Sequence, residues 1–142
     1  MTQFDHLTAP QHFQYKGGEV VLKQRYKFIC DNRIYFSTTQ FKDLQQHLYE
    51  LEVDVLSPIN DFGMAMDFND MDHIYETFIK PKVHHQRLND TLPSFNTTAE
   101  NIAQWLWNEF NKHLPQGNQM YQLQLFETPQ HGIYLNQTMM TE

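Results

Sequence analysis

Apolar and polar residues alternate along two long segments in the first half of the chain, residues 20–36 and 45–55. In the first segment the apolar residues occupy even positions, and Cys30 and Asn32 fall among them. In the second segment the apolar residues occupy odd positions, opposite a face rich in Glu and Asp. A period of two over such lengths predicts two long strands, each with one buried face.

The inward faces of these strands carry polar side chains close to the connection between them. Asn32 lies on the inward face of the first strand, and Gln45 and His47 lie on that of the second. Consecutive strands joined by a loop of this size are expected to pair antiparallel, which brings the three side chains together. The pattern therefore predicts a polar pocket floor at this end of the sheet.

The middle of the chain begins with a predicted helix. Asp67 can cap it, and apolar residues then recur every three or four positions until Pro81 interrupts the pattern. The apolar positions are Phe68, Met71, Ile74, Tyr75, Phe78 and Ile79. Residues 83–93 lack such a period and are predicted to form a loop.

A second predicted helix begins with a capping box formed by Thr97 and Glu100. Its apolar stripe consists of Ile102, Leu106, Phe110 and Leu114. Pro115 and Gly117 follow the stripe and predict its end.

Two further strands are predicted at residues 120–127 and 132–139, joined by a turn that contains Pro129 and Gly132. The element order is then strand, strand, helix, helix, strand, strand. This order predicts an α+β domain over residues 19–142, with a four-stranded antiparallel sheet and two helices on one face. Residues 1–18 are predicted to form an irregular extension. Exposed sheet edges favour pairing between subunits, so we expect an oligomer.

The composition restricts the class of protein. A chain of 142 residues with 40% hydrophobic and 14% aromatic residues can build one core. A net charge of -7 argues against a nucleic-acid partner. No apolar run approaches the roughly 18 residues of a membrane span, and Met1–Asp5 lacks the features of a secretory signal, so we expect a cytoplasmic protein. Cys30 is the only cysteine, which excludes an internal disulfide.

Three motifs carry a family likeness. They are Gly63-Met64-Ala65-Met66-Asp67-Phe68, then Asn96-Thr97-Thr98-Ala99-Glu100-Asn101 at the start of the second helix, then Phe126-Glu127-Thr128. In order and spacing the chain resembles the 6-pyruvoyltetrahydropterin and 6-carboxytetrahydropterin synthases over roughly residues 20–135. The resemblance implies a tunnelling fold (T-fold), a pterin-type ligand, and a barrel-shaped homo-oligomer, such as a hexamer, with active sites at subunit interfaces.

Glu127 and Thr98 are the candidate pterin-binding residues. Glu127 lies in register with Leu123 and Leu125, so its carboxylate ends an apolar face, where burial without a partner is costly. The resemblance implies that Glu127 accepts two parallel hydrogen bonds from the amidine-like edge of a heterocycle and that Thr98 faces the same ligand. The alternatives are a solvated strand end for Glu127 and a capping role for Thr98, which is compatible with ligand binding.

The resemblance also implies a zinc site of three histidines, but Asn32 and Gln45 occupy two of these positions and only His47 is retained. Amide oxygens are poor zinc ligands beside imidazole, so we expect weak or absent zinc binding. A trio drawn from His47, Cys30 and the pair His84-His85 is an alternative metal site.

The catalytic relay implied by the family consists of a Cys and an Asp-His pair. Residues 83–89 match the region of the pair, with His84 at the Asp position and His85 retained, while Phe41 occupies the Cys position. The catalytic candidates are therefore His85, His84 and, as a substitute thiol, Cys30. A neutral His84 supplies no fixed negative charge to stabilise an imidazolium.

Three hypotheses remain open at this stage. The chain is a lyase of the 6-carboxytetrahydropterin synthase branch, which by resemblance acts on dihydroneopterin triphosphate in the queuosine and 7-deazapurine pathway. Alternatively, it binds a pterin or purine-like ligand without catalysis, or it serves as a structural subunit beside an active paralogue.

Overall fold

A four-stranded antiparallel sheet in the order β1-β2-β3-β4 forms the framework of the protein. The computed structural model describes residues 2–141. The strands are β1 (Glu19–Tyr35), β2 (Phe41–Pro58), β3 (Gln119–Thr128) and β4 (His131–Asn136). The two long strands predicted from alternation are therefore confirmed, as are the antiparallel sheet and its four strands.

Helical segments cover one face of the sheet. They are α1 (Phe68–Ile74), a π-helical segment (Tyr75–Ile79), α2 (Lys80–Val83), α3 (Leu88–Thr91), α4 (Ala99–His113) and α5 (Gln137–Met140). The longest, α4, packs on β3 and β4, and the path from α1 to α3 packs on β1. Within residues 2–141, no helix is both long enough and apolar enough to cross a membrane.

The hydrophobic core lies between the sheet and these helices. Its fully buried side chains include Phe28, Tyr49, Leu51, Val53, Ile102, Leu106, Phe110, Leu123 and Leu125. They come from the predicted inward faces of the strands and from the predicted stripe of α4. Each such side chain contributes about 1.5–3 kcal/mol when it is removed from water, which is why alternation and helical period predicted the fold.

The helical segment that begins at Phe68 continues beyond Pro81, which was predicted to end it. After α1, the π-helical segment joins it to α2, and Pro81 lies in the first turn of α2. A proline is tolerated at that position because its missing N–H would have no partner inside the helix. Phe68 and Phe78, predicted to be buried, are partly exposed, whereas Met71 is buried.

Two segments contain short helices that the sequence pattern did not predict. The loop predicted at residues 83–93 includes the single turn α3. The last strand ends at Asn136 rather than Met139, because the Asn136 side chain accepts a hydrogen bond from the Met139 N–H and caps α5.

Residues 2–18 form no helix or strand, and Phe13 and Gln14 contact the loop that follows β2. The Gln14 amide donates to the Asn60 carbonyl at 2.9 Å, and the ring of Phe13 meets that of Phe62 edge to face. Gly63, with φ of 79°, lies directly beneath the Phe13 carbonyl, where only a glycine fits.

Candidate functional site

A β-bulge interrupts the pairing of β1 with β2 at the end of the sheet where the polar residues gather. Cys30 pairs with His47, but Asn32 pairs with Leu44, so β2 contains one extra residue. Gln46, at the bulge, has a φ of 48°. An extra residue exchanges the two faces of the strand beyond it.

The bulge removes Gln45 from the predicted pocket floor. Leu44 takes the position opposite Asn32 and is partly buried, whereas Gln45 is exposed. The predicted inward orientation of Gln45 is therefore wrong, because alternation was extended across a point where the register shifts. His47 lies on the core side of the bulge and keeps the predicted inward position beside the buried Cys30.

Asn32 is 2% exposed and joins β1 to the segment before α4. Its amide nitrogen Nδ2 donates to the Thr97 carbonyl at 2.9 Å and lies 3.4 Å from the Tyr49 hydroxyl. A carbonyl can only accept, so this bond determines which end of the amide faces Thr97. The Asn32 oxygen Oδ1 then points elsewhere, and it is buried with no hydrogen-bond partner among the described residues.

His47 carries a second buried atom of this kind. Its ring meets the Tyr49 ring edge to face at 4.6 Å, and its nitrogen Nε2 is buried with no partner in the described part of the chain. Buried polar atoms usually have a partner, so unpaired ones indicate a bound water or ligand group. Asn32 and His47 both adjoin Tyr49, which therefore forms the base of the candidate site.

These donors do not fit the zinc site that the family implies. Asn32 offers an amide oxygen, His47 one imidazole nitrogen, and Gln45 faces away. Across residues 2–141, no three His, Cys, Asp or Glu side chains are placed to hold one metal ion, so the alternative trio with Cys30 is not assembled within one subunit. A divalent zinc ion needs more nitrogen or sulfur ligands than these residues supply.

Glu127 follows the buried Leu123 and Leu125 on β3, at the point where the pairing with β4 shifts register, and it is partly buried. Burial raises the pKa of the Tyr49 hydroxyl, and the Glu127 and Glu100 carboxylates contribute to the rise through their negative charge. Glu127 is therefore close to the base of the site. Within residues 2–141 its carboxylate forms no ion pair, which leaves it available to a ligand.

Thr98 is the N-cap of α4, and its hydroxyl oxygen accepts a hydrogen bond from the Asn101 N–H at 3.3 Å. The N-cap is thus one residue later than the capping box predicted at Thr97 and Glu100. The reason is tertiary: Thr97 is fully buried, and its hydroxyl donates to the Arg33 carbonyl at 3.0 Å. Thr98 is partly buried beside it, and its role toward a pterin stays a prediction.

His84 and His85 lie along the outer edge of β1. The His84 nitrogen Nδ1 accepts from the Ile29 N–H at 3.2 Å, and the His85 N–H donates to the Ile29 carbonyl at 2.6 Å. An imidazole that accepts at Nδ1 is neutral and carries its proton on Nε2. Burial, followed by the proximity of His85, lowers the pKa of His84 below its usual range.

Cys30 and His85 line a cavity of about 180 Å³ together with Asp31 and Gln46. His84 does not line it. Burial raises the pKa of the Cys30 thiol to about 12, so the thiol stays protonated at neutral pH and is a weak base or nucleophile. Of the three catalytic candidates, only Cys30 and His85 therefore share a cavity.

Sequence reasoning missed Tyr49 and Thr97. Tyr49 follows His47 in the same inward series, so its position next to the site could have been found from alternation. Thr97 could not, because its burial depends on its contacts with Asn32 and Arg33, which lie more than sixty residues earlier.

The sheet carries a bulged polar cluster at one end, a carboxylate at the end of β3 and helices on one face. These features define an α+β protein of the T-fold class. The chain belongs to the 6-pyruvoyl tetrahydropterin synthase family, whose model matches residues 22–137. The family resemblance noted from the motifs is thereby confirmed.

Solved structures agree with the fold. The Caenorhabditis elegans 6-pyruvoyl tetrahydropterin synthase superposes with a TM-score of 0.72 at 15% identity, covering 87% of this chain and 99% of that chain. The Plasmodium falciparum 6-pyruvoyl tetrahydropterin synthase gives a TM-score of 0.64 at 13% identity, covering 82% and 96%. At such identities the superposition shows the fold alone.

Sequence relatives include enzymes of pterin metabolism. A Drosophila melanogaster 6-pyruvoyl tetrahydrobiopterin synthase is 30% identical over 91 residues, which is 61% of this chain and 54% of the relative. A Pyrococcus furiosus dihydroneopterin monophosphate aldolase is 31% identical over 96 residues, 68% of this chain and 81% of the relative. The chain spans about half the length of the fly synthase it matches.

Proposed function

We propose that this protein binds a pterin, or a purine-like heterocycle with the same amidine edge, through Glu127. The observation that carries the proposal is the partly buried Glu127 carboxylate, which forms no ion pair within residues 2–141 and whose charge acts on the buried Tyr49 hydroxyl. A carboxylate can accept two parallel N–H bonds from such an edge, and charge-assisted bonds of this kind are strong. We assign Thr98 and His47, both partly buried, to the same site.

The same proposal includes assembly of the subunits. The outer edge of β4 is an end of the sheet, and edge strands favour pairing with another chain. We expect a barrel-shaped homo-oligomer, such as a hexamer, in which a neighbouring subunit closes the site over Glu127. The likeness to the family supports this arrangement. Measurement of the molecular mass in solution by light scattering tests it.

Zinc-dependent catalysis is not part of this proposal, because Asn32, Gln45 and His47 do not supply the ligands. The buried atoms Asn32 Oδ1 and His47 Nε2 instead form hydrogen bonds with water or with the ligand.

Binding is tested by titrating the purified protein with a fluorescent 6-substituted pterin. Glu127→Gln keeps the size of the side chain but replaces one acceptor with a donor, so we expect the Kd to rise by at least about tenfold, or 1.4 kcal/mol. Glu76→Gln, an exposed acid of the π-helical segment, serves as the matched control and should leave the Kd unchanged. Equal affinities for wild type and Glu127→Gln would refute the proposal.

A second candidate function is retained lyase chemistry of the 6-carboxytetrahydropterin synthase type. The observation that favours it is backbone strain: Gln46 and His85 have φ of 48° and 58°, and both line the cavity with Cys30. Strained residues cluster at active sites. In this function His85, which is exposed, would carry the proton, because Cys30 is protonated and His84 is held neutral.

The lyase function is tested by incubating the protein with dihydroneopterin triphosphate, with and without added zinc, and following the release of triphosphate. Activity that is lost in His85→Asn would support the lyase. Pterin binding without release of triphosphate would support the binding function and argue against the lyase. Failure to bind any pterin, combined with copurification of a homologue that has all three histidines, would indicate a structural subunit.

A further inference from the structure

We infer that Asn32 is a specificity-determining residue of the proposed pterin site: its amide oxygen accepts a hydrogen bond from a hydroxyl group of the ligand, and this recognition needs no metal ion. The inference rests on the proposed function and on the disagreement between these residues and a zinc site. Asn32 occupies a position where the family resemblance implies a zinc ligand, but its side chain is buried and bound to the protein itself. These bonds determine which ligand group fits beside it.

Three oxygen atoms surround the amide nitrogen of Asn32. Nδ2 donates to the Thr97 carbonyl at 2.9 Å and lies 3.4 Å from both the Thr97 and the Tyr49 hydroxyl oxygens. The Thr97 hydroxyl donates its own proton to the Arg33 carbonyl, so it meets Nδ2 as an acceptor. A rotated amide would place Oδ1 against the Thr97 carbonyl, oxygen against oxygen. The amide orientation is therefore fixed, and the ligand meets an oxygen that can only accept.

The acceptor Asn32 Oδ1 and the hydroxyl of Tyr49 are neighbours with complementary roles. Oδ1 is buried and has no donor among the described residues. Tyr49 forms its only hydrogen bond in residues 2–141 as the acceptor from Asn32 Nδ2, so its own proton is free to donate. Burial raises the pKa of Tyr49, which keeps that proton in place at neutral pH. A hydroxyl group both donates and accepts, so it satisfies the two residues together.

His47 extends this polar cluster without changing its preference. Its ring meets the Tyr49 ring edge to face, and its buried Nε2 has no partner in the described part of the chain. A neutral imidazole can carry its proton on either nitrogen, so Nε2 adapts to a donor or to an acceptor. The fixed amide of Asn32 therefore determines which group is accepted.

The register of the sheet places Asn32 and Glu127 at opposite ends of the site. One row across β1, β2 and β3 consists of Lys27, Glu50 and Phe126. Glu127 is one residue beyond this row and Asn32 is five residues beyond it, in the same direction, because β1 and β3 both run antiparallel to β2. Tyr49 connects the two ends, since its hydroxyl meets the Asn32 amide and the Glu127 charge acts on it. A ring anchored at Glu127 by one edge therefore meets Asn32 through a substituent at its far end.

The inference is tested with two pterins that have the same heavy-atom skeleton, 6-(1-hydroxyethyl)pterin and 6-acetylpterin. The hydroxyl of the first can donate to Asn32, whereas the ketone of the second places an acceptor against an acceptor. We expect wild type to bind the hydroxyethyl compound at least about tenfold more tightly in fluorescence titrations. The preference should be the same with and without EDTA, because no metal takes part.

The variant Asn32→Leu removes the acceptor, so we expect the ratio of the two Kd values to fall to about one. A loss of stability alone would weaken both compounds equally and leave this ratio unchanged. Asn89→Leu is the matched control. Asn89 also binds the end of β1 through its amide, accepting from the Arg33 N–H at 2.7 Å and donating to the Arg33 carbonyl at 3.0 Å, but it does not contact Tyr49. This control should keep the wild-type ratio.

Equal affinities of the two pterins in wild type would overturn the inference, even if Asn32→Leu fails to fold. A wild-type preference that disappears in EDTA would overturn it as well, because a metal would then hold the hydroxyl. So would an unchanged ratio in Asn32→Leu. Glu127→Gln separates the inference from the proposed function, since it should weaken both pterins and preserve their ratio. If it weakens both while wild type does not distinguish them, only the inference fails; if neither pterin binds wild type, the proposed function fails too.

Discussion

Asn32 lies opposite Leu44 across the first two strands, whereas strict alternation from the Cys30–His47 pair would place it opposite Gln45. This shift of one residue determines which side chains enter the candidate site. It also means that a histidine introduced at position 45, where the family resemblance places a zinc ligand, would point away from His47.

The first prediction follows from this shift and concerns zinc. Asn32→His combined with Leu44→His places three imidazoles on one face with His47, whereas Asn32→His combined with Gln45→His places two. We expect the first pair to bind zinc at least about tenfold more tightly than the second. Competition with a chromophoric chelator measures the two affinities, and circular dichroism verifies that both variants fold. Tighter binding by the Gln45→His variant would show that the bulge does not persist in solution.

The second prediction concerns Asn32 as a structural link. Asn32→Leu leaves the buried Thr97 carbonyl without its 2.9 Å hydrogen bond, so we expect the free energy of unfolding to fall by about 1–3 kcal/mol. Gln45→Leu, at the exposed position beside the bulge, should change it by no more than about 0.5 kcal/mol. Urea denaturation monitored by tryptophan fluorescence compares the two. An equal effect of both substitutions would contradict the buried link.

The third prediction concerns Gly63 and the N-terminal extension. A Cβ at this position would lie 2.5 Å from the Phe13 carbonyl oxygen, and φ is 79°. We expect Gly63→Ala to lower the free energy of unfolding by more than about 1 kcal/mol. Gly17→Ala, which would meet only the flexible Gln14 side chain at 3.5 Å, is the control and should be nearly neutral.

Deletion of residues 1–17 provides the decisive comparison for Gly63. Without Phe13 the clash disappears and only the backbone strain at positive φ remains, so the cost of Gly63→Ala should become smaller. If the cost is the same in the shortened chain, then the extension does not pack on this loop.

The fourth prediction is a pH dependence that arises from His84. Its pKa in the folded protein lies below the ordinary value of 6.5, because burial and His85 disfavour its charged form. The unfolded chain then binds the proton more readily than the folded protein. The contribution of neutral His84 to stability is therefore fully present above about pH 6.5 and is lost as the pH falls through the lower pKa of the folded protein. His84→Gln should lose less stability than wild type over this range. Parallel decreases in the two proteins would show that His84 is not responsible.

Most of the fold and part of the site followed from local pattern. The inward position of Glu127 stays a prediction, because the pairing of β3 with β4 shifts register between Phe126 and Thr128. Alternation predicted that Cys30, Asn32 and His47 face the core, and they do. These predictions held because each depends only on neighbours two residues away on one face. They failed for Gln45, because alternation contains no information about an extra residue in the strand.

The sequence by itself determined the four strands, the two main helical segments and the family, since burial of apolar side chains imposes periods that can be read along the chain. Only the tertiary structure decided the bulge, because the Gln46 N–H is satisfied by the Asp31 carboxylate on the neighbouring strand, fifteen residues earlier. The same holds for Asn32, whose partner Thr97 is sixty-five residues away. Hydrogen bonds between distant segments leave no periodic trace, so the chemistry of the site depended on contacts that the chain makes only when folded.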